Sequence, residues 1–179
     1  MGRLVINLNE PDGLAAVKGQ WKFAPGYVPG EPNEGLVSQL AGSPARLPDY
    51  DDSSWEVCED LDKSLTRGFS FIWYRLRFTF PETVGGEPVG KKRVQFETCV
   101  DDYGEIWLDG ECDRDRATVQ GFNRAQRVVV TEDAIPGEQH TIAILAANGP
   151  LAFPGGGVFV RYADLAFEWQ APRPQQPTG

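Results

Sequence analysis

Short segments in which apolar and polar residues alternate run along most of this chain. In the segment FIWYRLRFTF (71–80), the even positions are all apolar or aromatic, whereas two of the odd positions are arginines. A period of two is typical of a β-strand with one face on a hydrophobic core. The pattern therefore predicts a central strand with Tyr74 and Leu76 on the core side and Trp73 and Arg75 on the other side.

Arg75 needs a partner in this arrangement, because an unpaired buried guanidinium costs several kcal/mol. We expect Arg75 to face solvent or to pair with a carboxylate. Glu97, on the next predicted strand, is the candidate partner.

Further strands follow the same pattern, and the 20 glycines and 14 prolines of the chain fall largely between them. The predicted strands are KRVQFET (92–98), GEIWLDGE (104–111), QRVVVTEDAI (126–135), HTIAILAAN (140–148) and GVFVRYADLAFEW (157–169). Asp109-Gly110 predicts a tight hairpin turn. The turn PGEQ (136–139) predicts a second hairpin between its flanking strands. A bulge is expected near Ala163.

These elements predict an all-β protein with a β-sandwich fold. At 179 residues the chain has the size of one domain. We expect a single sandwich over residues 1–170, with a long irregular loop at 26–52 and a flexible tail at 171–179.

The net charge of −9 makes nucleic acid and membrane surfaces poor partners. The amino terminus has no signal-peptide core and no segment reaches the length of a membrane helix, so a cytoplasmic location is expected. The three cysteines have irregular spacing, which favours free thiols. With a single histidine, His140, in a predicted strand and no Cys-x-x-Cys pair, no metal site or cofactor is predicted.

Five segments carry a resemblance to a known family. They are KGQWKFAPG (18–26), YDDSSWEV (50–57), FIWYRLRFTFPE (71–82), KKRVQFETCVDDYGEIWLDGE (91–111) and IPGEQHTIAI (135–144). In this order they resemble the amino-terminal sugar-binding domain of glycoside hydrolase family 2, which includes β-galactosidases and β-glucuronidases. The resemblance implies a jelly-roll sandwich of the galactose-binding type.

The resemblance also implies that VDDYGEIWLDGE (100–111) is a structural corner. In it, Asp101 and Asp102 accept backbone N–H groups and Trp107 lies between the sheets. As an alternative, the two carboxylates bind sugar hydroxyls or a structural calcium ion.

The family's catalytic carboxylates belong to a separate barrel domain that this sequence does not contain. The resemblance therefore implies a carbohydrate-binding or accessory module, for a sugar or a glycosylated small molecule. Sugar sites combine an aromatic platform with directional hydrogen-bonding groups, and we expect the loops before the strand at 71–80 and around 101–103, 122–124 and 148 to converge at one edge. The candidate ligand-binding residues are Asp101, Asp102, Tyr103, Phe122, Asn123, Arg124, Asn148 and Arg161.

Two alternatives belong to other classes of protein. In the first, the chain is a small hydrolase or lyase acting on a glycoside through a carboxylate pair, with Glu97 and Glu105 on facing strands and Arg75 or Arg77 tuning one pKa. In the second, it is a non-catalytic subunit that docks on a partner enzyme through one sheet. The five tryptophans, ten phenylalanines and five tyrosines favour this second alternative, because an exposed aromatic patch marks an interface.

Overall fold

The computed structural model of the protein describes residues 1–31, 42–115, 118–121, 123–149 and 155–170. Most of the regular structure in these ranges is extended. The strands are β1 (Gly2–Asn7), β2 (Lys22–Pro25), β3 (Glu56–Val57), β4 (Ser70–Thr79), β5 (Thr83–Val84), β6 (Glu87–Pro88), β7 (Arg93–Asp101), β8 (Tyr103–Leu108), β9 (Val119–Gln120), β10 (Ala125–Thr131), β11 (Gln139–Asn148) and β12 (Phe159–Trp169). The helical segments of the described residues are a six-residue helix, α1 (Pro11–Ala16), and a 3-10 turn at Pro44–Arg46.

The strands form two main antiparallel sheets that enclose a hydrophobic core. One sheet has the order β1-β12-β7-β10 and the other the order β3-β2-β4-β11-β8-β9, while β5 and β6 make a small separate ribbon. Ile72 and Ile142 of the six-stranded sheet share one buried cluster with Phe96 and Phe167 of the four-stranded sheet. The predicted β-sandwich is confirmed.

The alternation along β4 is confirmed as well. Tyr74 and Leu76 lie in the core between the sheets, whereas Trp73 belongs to a second buried cluster on the outer face of the six-stranded sheet. Residues 42–57 cover that outer face, so Arg75 is only 1% exposed.

Asp52 is the partner of Arg75, and the prediction of Glu97 was wrong. The Asp52 carboxylate accepts from Arg75 Nε at 3.0 Å and also pairs with Arg77 and Lys22. The strand pattern could not identify this contact, because Asp52 lies in an irregular segment whose docking depends on tertiary structure. We call Asp52, Lys22, Arg75 and Arg77 the Asp52 cluster.

The hairpin at Asp109-Gly110 is confirmed. Both residues have positive φ, 49° and 89°, as a type I′ turn requires. The backbone N–H and C=O groups of Leu108 and Glu111 exchange hydrogen bonds across the turn.

The second predicted hairpin is wrong. β10 pairs with β7 in the four-stranded sheet, whereas β11 lies between β4 and β8 in the other sheet. The turn residues at 136–139 do reverse the chain, but the reversal carries it from one sheet to the other. Turn chemistry specifies a change of direction and leaves the pairing partner open.

Three further features differ from the sequence-based expectations. β1, which was not predicted, forms an edge of the four-stranded sheet beside β12. The irregularity in β12 lies between Val160 and Tyr162, slightly before the predicted position. Trp107 is half-buried on the outer face of the six-stranded sheet and not in the core, because its neighbour Ile106 occupies the inward position.

Candidate functional site

One edge of the sandwich gathers the ends of strands from both sheets. β7 ends at Asp101 and β8 begins at Tyr103, so Asp102 lies where the chain passes from the four-stranded to the six-stranded sheet. β4 begins and β11 ends at the same edge, since Asn148 pairs with Ser70. β12 begins there too, because Phe159 pairs with Asp101.

These strand ends surround a groove of about 860 Å³. The described residues that line it are Phe69, Asp101, Asp102, Tyr103, Ala147, Asn148, Gly149, Gly156, Gly157 and Phe159. We call it the edge groove. A volume of this size is in the range of pockets that hold small organic ligands, roughly 300–1,000 Å³.

Aromatic side chains form much of the groove's surface. Phe69 and Tyr103 are each 37% exposed, so a ligand can contact both rings. Phe69 rests edge-on against Phe71, and the Tyr103 hydroxyl donates to Glu105 Oε1 at 2.6 Å. Burial, and then this hydrogen bond, raise the pKa of Tyr103, so the ring remains neutral and fixed in orientation.

Asn148 ties two loops together beneath the groove. Its amide nitrogen donates to the carbonyl oxygens of Gly68 at 2.6 Å and Gly156 at 2.9 Å. A side chain at Gly156 would begin 2.9 Å from Asn148 Oδ1 and would have to displace the Asn148 amide. The loop before β4 and the loop before β12 are therefore held side by side.

The carboxylates of Asp101 and Asp102 line the groove where the chain passes from β7 to β8. Asp101 pairs with Arg161 Nη2 at 2.9 Å, and the Arg161 Nε also donates to Asn123 Oδ1. The Arg161 guanidinium stacks over the Phe159 ring at 4.5 Å. Asp102 Oδ2 accepts the Gly149 N–H at 2.9 Å, as expected for a structural corner.

The pKa of Asp101 is raised from 3.8 to about 6. Burial is the largest cause, and the adjacent Asp102 carboxyl adds to it through a hydrogen bond and through its charge, while Arg161 acts in the opposite direction. Because the folded-state pKa lies above the ordinary value, protonation of Asp101 favours the folded state. The stabilisation of the fold by this protonation therefore grows as the pH falls from about 6 toward 3.8.

Removing the Asp102 charge should lower the pKa of Asp101. We expect Asp102→Asn to bring it below about 6, although burial should keep it above 3.8. Carboxyl carbon chemical shifts followed by NMR over a pH titration measure this directly. Glu97→Gln removes the same charge from the outer face of the four-stranded sheet and serves as the control. It should leave the pKa of Asp101 unchanged. If Asp102→Asn also leaves the pKa of Asp101 unchanged, the proposed effect of Asp102 on Asp101 is contradicted.

The structure brings together most of the predicted ligand-binding residues. Asp101, Asp102, Tyr103 and Asn148 line the edge groove, and Arg161 and Asn123 adjoin it through Asp101. The remaining two predicted residues do not line it in the described part of the chain: Arg124 is exposed beside Asn123, and Phe122 lies outside the described residues.

Two aromatic lining residues were not predicted. Phe69 belongs to the loop before β4, which was expected at this edge, but no single residue of it stood out. The sequence pattern does not distinguish Phe159 from an ordinary strand residue. Its place in the groove depends on the pairing of β12 with β7, which puts it beside Asp101. The glycines that line the groove carry no side-chain signal at all.

Glu97 and Glu105 do not share a site, and their predicted placement on facing strands was wrong. Glu97 lies on the outer face of the four-stranded sheet, paired with Arg3 at 2.6 Å. Glu105 lies on the outer face of the six-stranded sheet, where it accepts from Tyr103 and from Trp107 Nε1 at 3.0 Å. The core separates the two carboxylates, and both proposed tuning arginines are bound in the Asp52 cluster.

Among the described residues, no group of three or more His, Cys, Asp or Glu side chains is placed to hold a metal ion. No described helix is both long and apolar enough to span a bilayer.

No protein-family model and no curated protein matches this sequence. Solved structures of glycosidases do match the fold. A β-glucuronidase from Bacteroides uniformis matches with a TM-score of 0.58 at 18% identity, over 93% of this chain and 18% of its own. A β-glucuronidase from glycoside hydrolase family 2 gives 0.57 at 18% identity, over 92% and 18% of the two chains. A β-glycosidase from Bacteroides vulgatus gives 0.53 at 19% identity, over 90% and 20%.

These likenesses define the class of fold: an antiparallel β-sandwich that the glycosidases contain within much longer chains. The resemblance to the amino-terminal, galactose-binding-like domain of glycoside hydrolase family 2 is confirmed as a likeness of fold. This chain spans about a fifth of the length of those proteins.

Proposed function

We propose that this chain is a carbohydrate-binding accessory module of a glycosidase and that the edge groove is its binding site. The observation that carries the proposal is the convergence of an exposed, oriented aromatic ring, Tyr103, with the carboxylates of Asp101 and Asp102 in one groove. The likeness of fold to glycosidases supports the accessory role, with a catalytic domain as the partner.

The groove offers the two kinds of contact that a sugar needs. An aromatic ring packs against the apolar C–H face of a pyranose, and carboxylate oxygens accept hydrogen bonds from hydroxyl groups. Glu105 holds the Tyr103 hydroxyl, so little side-chain freedom is lost when a ligand packs on the ring. Asp102 accepts the Gly149 N–H through Oδ2, and a carboxylate has further lone pairs that can accept from a hydroxyl.

An independent enzymatic role has less support. Glu97 and Glu105 face away from each other on different sheets, so they cannot divide acid and base roles at one substrate. A binding role requires no such pair, and the residues that converge are those suited to recognition.

Replacing Tyr103 should weaken sugar binding. We expect Tyr103→Ala to reduce affinity by about tenfold, the equivalent of one stacking contact of roughly 1.4 kcal/mol. Isothermal titration calorimetry with methyl glycosides of glucose, galactose and mannose at millimolar concentration measures the loss.

Ile135→Ala is the matched control for this experiment. Ile135 is an apolar residue that is 61% exposed, and it precedes β11, whose far end carries Asn148. The ten residues of β11 place it roughly 30 Å from the groove. An absence of heat for every methyl glycoside with the folded wild-type protein would refute the proposed function.

A further inference from the structure

The edge groove is more apolar than a site for a free saccharide needs to be. Phe69, Phe159 and Ala147 line it together with Tyr103, and three glycines leave their backbones against it. The carboxylates of Asp101 and Asp102 line it where the chain crosses between the sheets, and Asn148 lines it at the end of β11.

Each of these three polar side chains already makes a hydrogen bond within the protein. Asn148 uses its amide nitrogen on Gly68 and Gly156, Asp101 accepts from Arg161, and Asp102 accepts from Gly149. The two carboxylates can still accept from a few hydroxyl groups. Phe69 offers no hydrogen-bonding group, so an apolar group gains more from contact with it than a second sugar does.

The positions of the two exposed rings give the shape of a better ligand. Tyr103 begins β8 and Phe69 precedes β4, with β11 between these strands. Two strand spacings place the backbones of these residues about 10 Å apart. A pyranose on Tyr103 and an adjoining apolar ring on Phe69 together reach across this distance.

We propose that the edge groove binds a glycoside whose aglycone is an apolar, ring-containing group. The sugar lies on Tyr103 with its hydroxyls toward Asp102, and the aglycone packs on Phe69. This inference rests on the proposed function, which it deepens by naming the class of ligand. The Phe69 ring is supported from behind by Phe71, at 5.7 Å between ring centroids, so it offers a fixed surface to the aglycone.

The test compares methyl and phenyl β-glycosides of glucose and galactose by calorimetry, with phenol as a sugar-free probe. We expect the phenyl glycoside of the preferred sugar to bind about tenfold more tightly than its methyl glycoside. In Phe69→Ala this gain should vanish, so that the methyl and phenyl glycosides bind with equal affinity. Ile135→Ala should keep the full gain.

The possible failures of this experiment are distinguishable. Equal affinities for methyl and phenyl glycosides overturn the aglycone inference and leave the sugar site intact. A wild-type protein that binds neither glycoside overturns the proposed function and the inference together. If phenol binds as tightly as the phenyl glycoside, the sugar site is overturned as well. If Phe69→Ala retains the full gain, the aglycone binds to another surface and the inference is overturned.

Discussion

Asp52→Asn is expected to lower the free energy of unfolding by about 3 to 5 kcal/mol, because it leaves the buried Arg75 guanidinium without a counter-charge. The side chain of Arg75 is completely buried and that of Asp52 is 5% exposed, so water cannot replace the lost carboxylate. For a chain of this size the change corresponds to a fall in Tm of roughly 10 °C or more. Thermal unfolding followed by circular dichroism measures it.

The pH dependence offers a second readout of the same contact. Burial works to raise the pKa of Asp52, but hydrogen bonds from Arg75 and Lys22 and the charge of Arg77 outweigh it, so the pKa lies below 3.8. The stabilisation is therefore fully present above about pH 4 and is lost only as the pH falls through this lowered value. The Tm difference between wild type and Asp52→Asn should narrow in strong acid.

Asp49→Asn is the matched control for the Asp52 experiment. Asp49 is exposed, lies three residues earlier in the same segment, and the substitution changes the charge by the same amount. Its Tm should stay within about 2 °C of wild type. Similar losses in both variants would show that net charge, rather than the Arg75 contact, governs the stability of this segment.

Tyr74→Asp should prevent folding. Tyr74 is fully buried between the sheets, and an aspartate there would remove a large apolar contact and place an unpaired carboxylate in the core. Arg75→Leu, on the other face of the same strand, should give a folded protein, because Asp52 keeps Lys22 and Arg77 as partners. Circular dichroism and thermal melts separate the two outcomes.

Tyr74→Phe serves as the control for size at this position. The Tyr74 hydroxyl is buried without a hydrogen-bond partner among the described residues, so its removal should leave the Tm unchanged or slightly raised. If Tyr74→Asp and Arg75→Leu melt at the same temperature, the assignment of faces along β4 is contradicted.

Part of the candidate site was predictable from the sequence, because polar residues mark the ends of the predicted strands. Asp101, Asp102 and Tyr103 follow one predicted strand and Asn148 ends another, and polar residues at strand ends point to a shared edge. Phe69 and Phe159 could not be distinguished in this way. An apolar residue near a strand end carries the same signal whether it lines a groove or fills the core.

The sequence alone determined which face of a strand such as β4 meets the core and where the chain turns, because side-chain alternation and turn geometry are local properties of the backbone. Tyr74 against Arg75 and the turn at Asp109-Gly110 are examples. Only the tertiary structure decided which strands pair and which charges meet. β10 and β11 lie in different sheets, and Arg75 binds Asp52 in place of Glu97. Such contacts join residues far apart in the chain, and their energies depend on how the whole sandwich closes rather than on any local pattern.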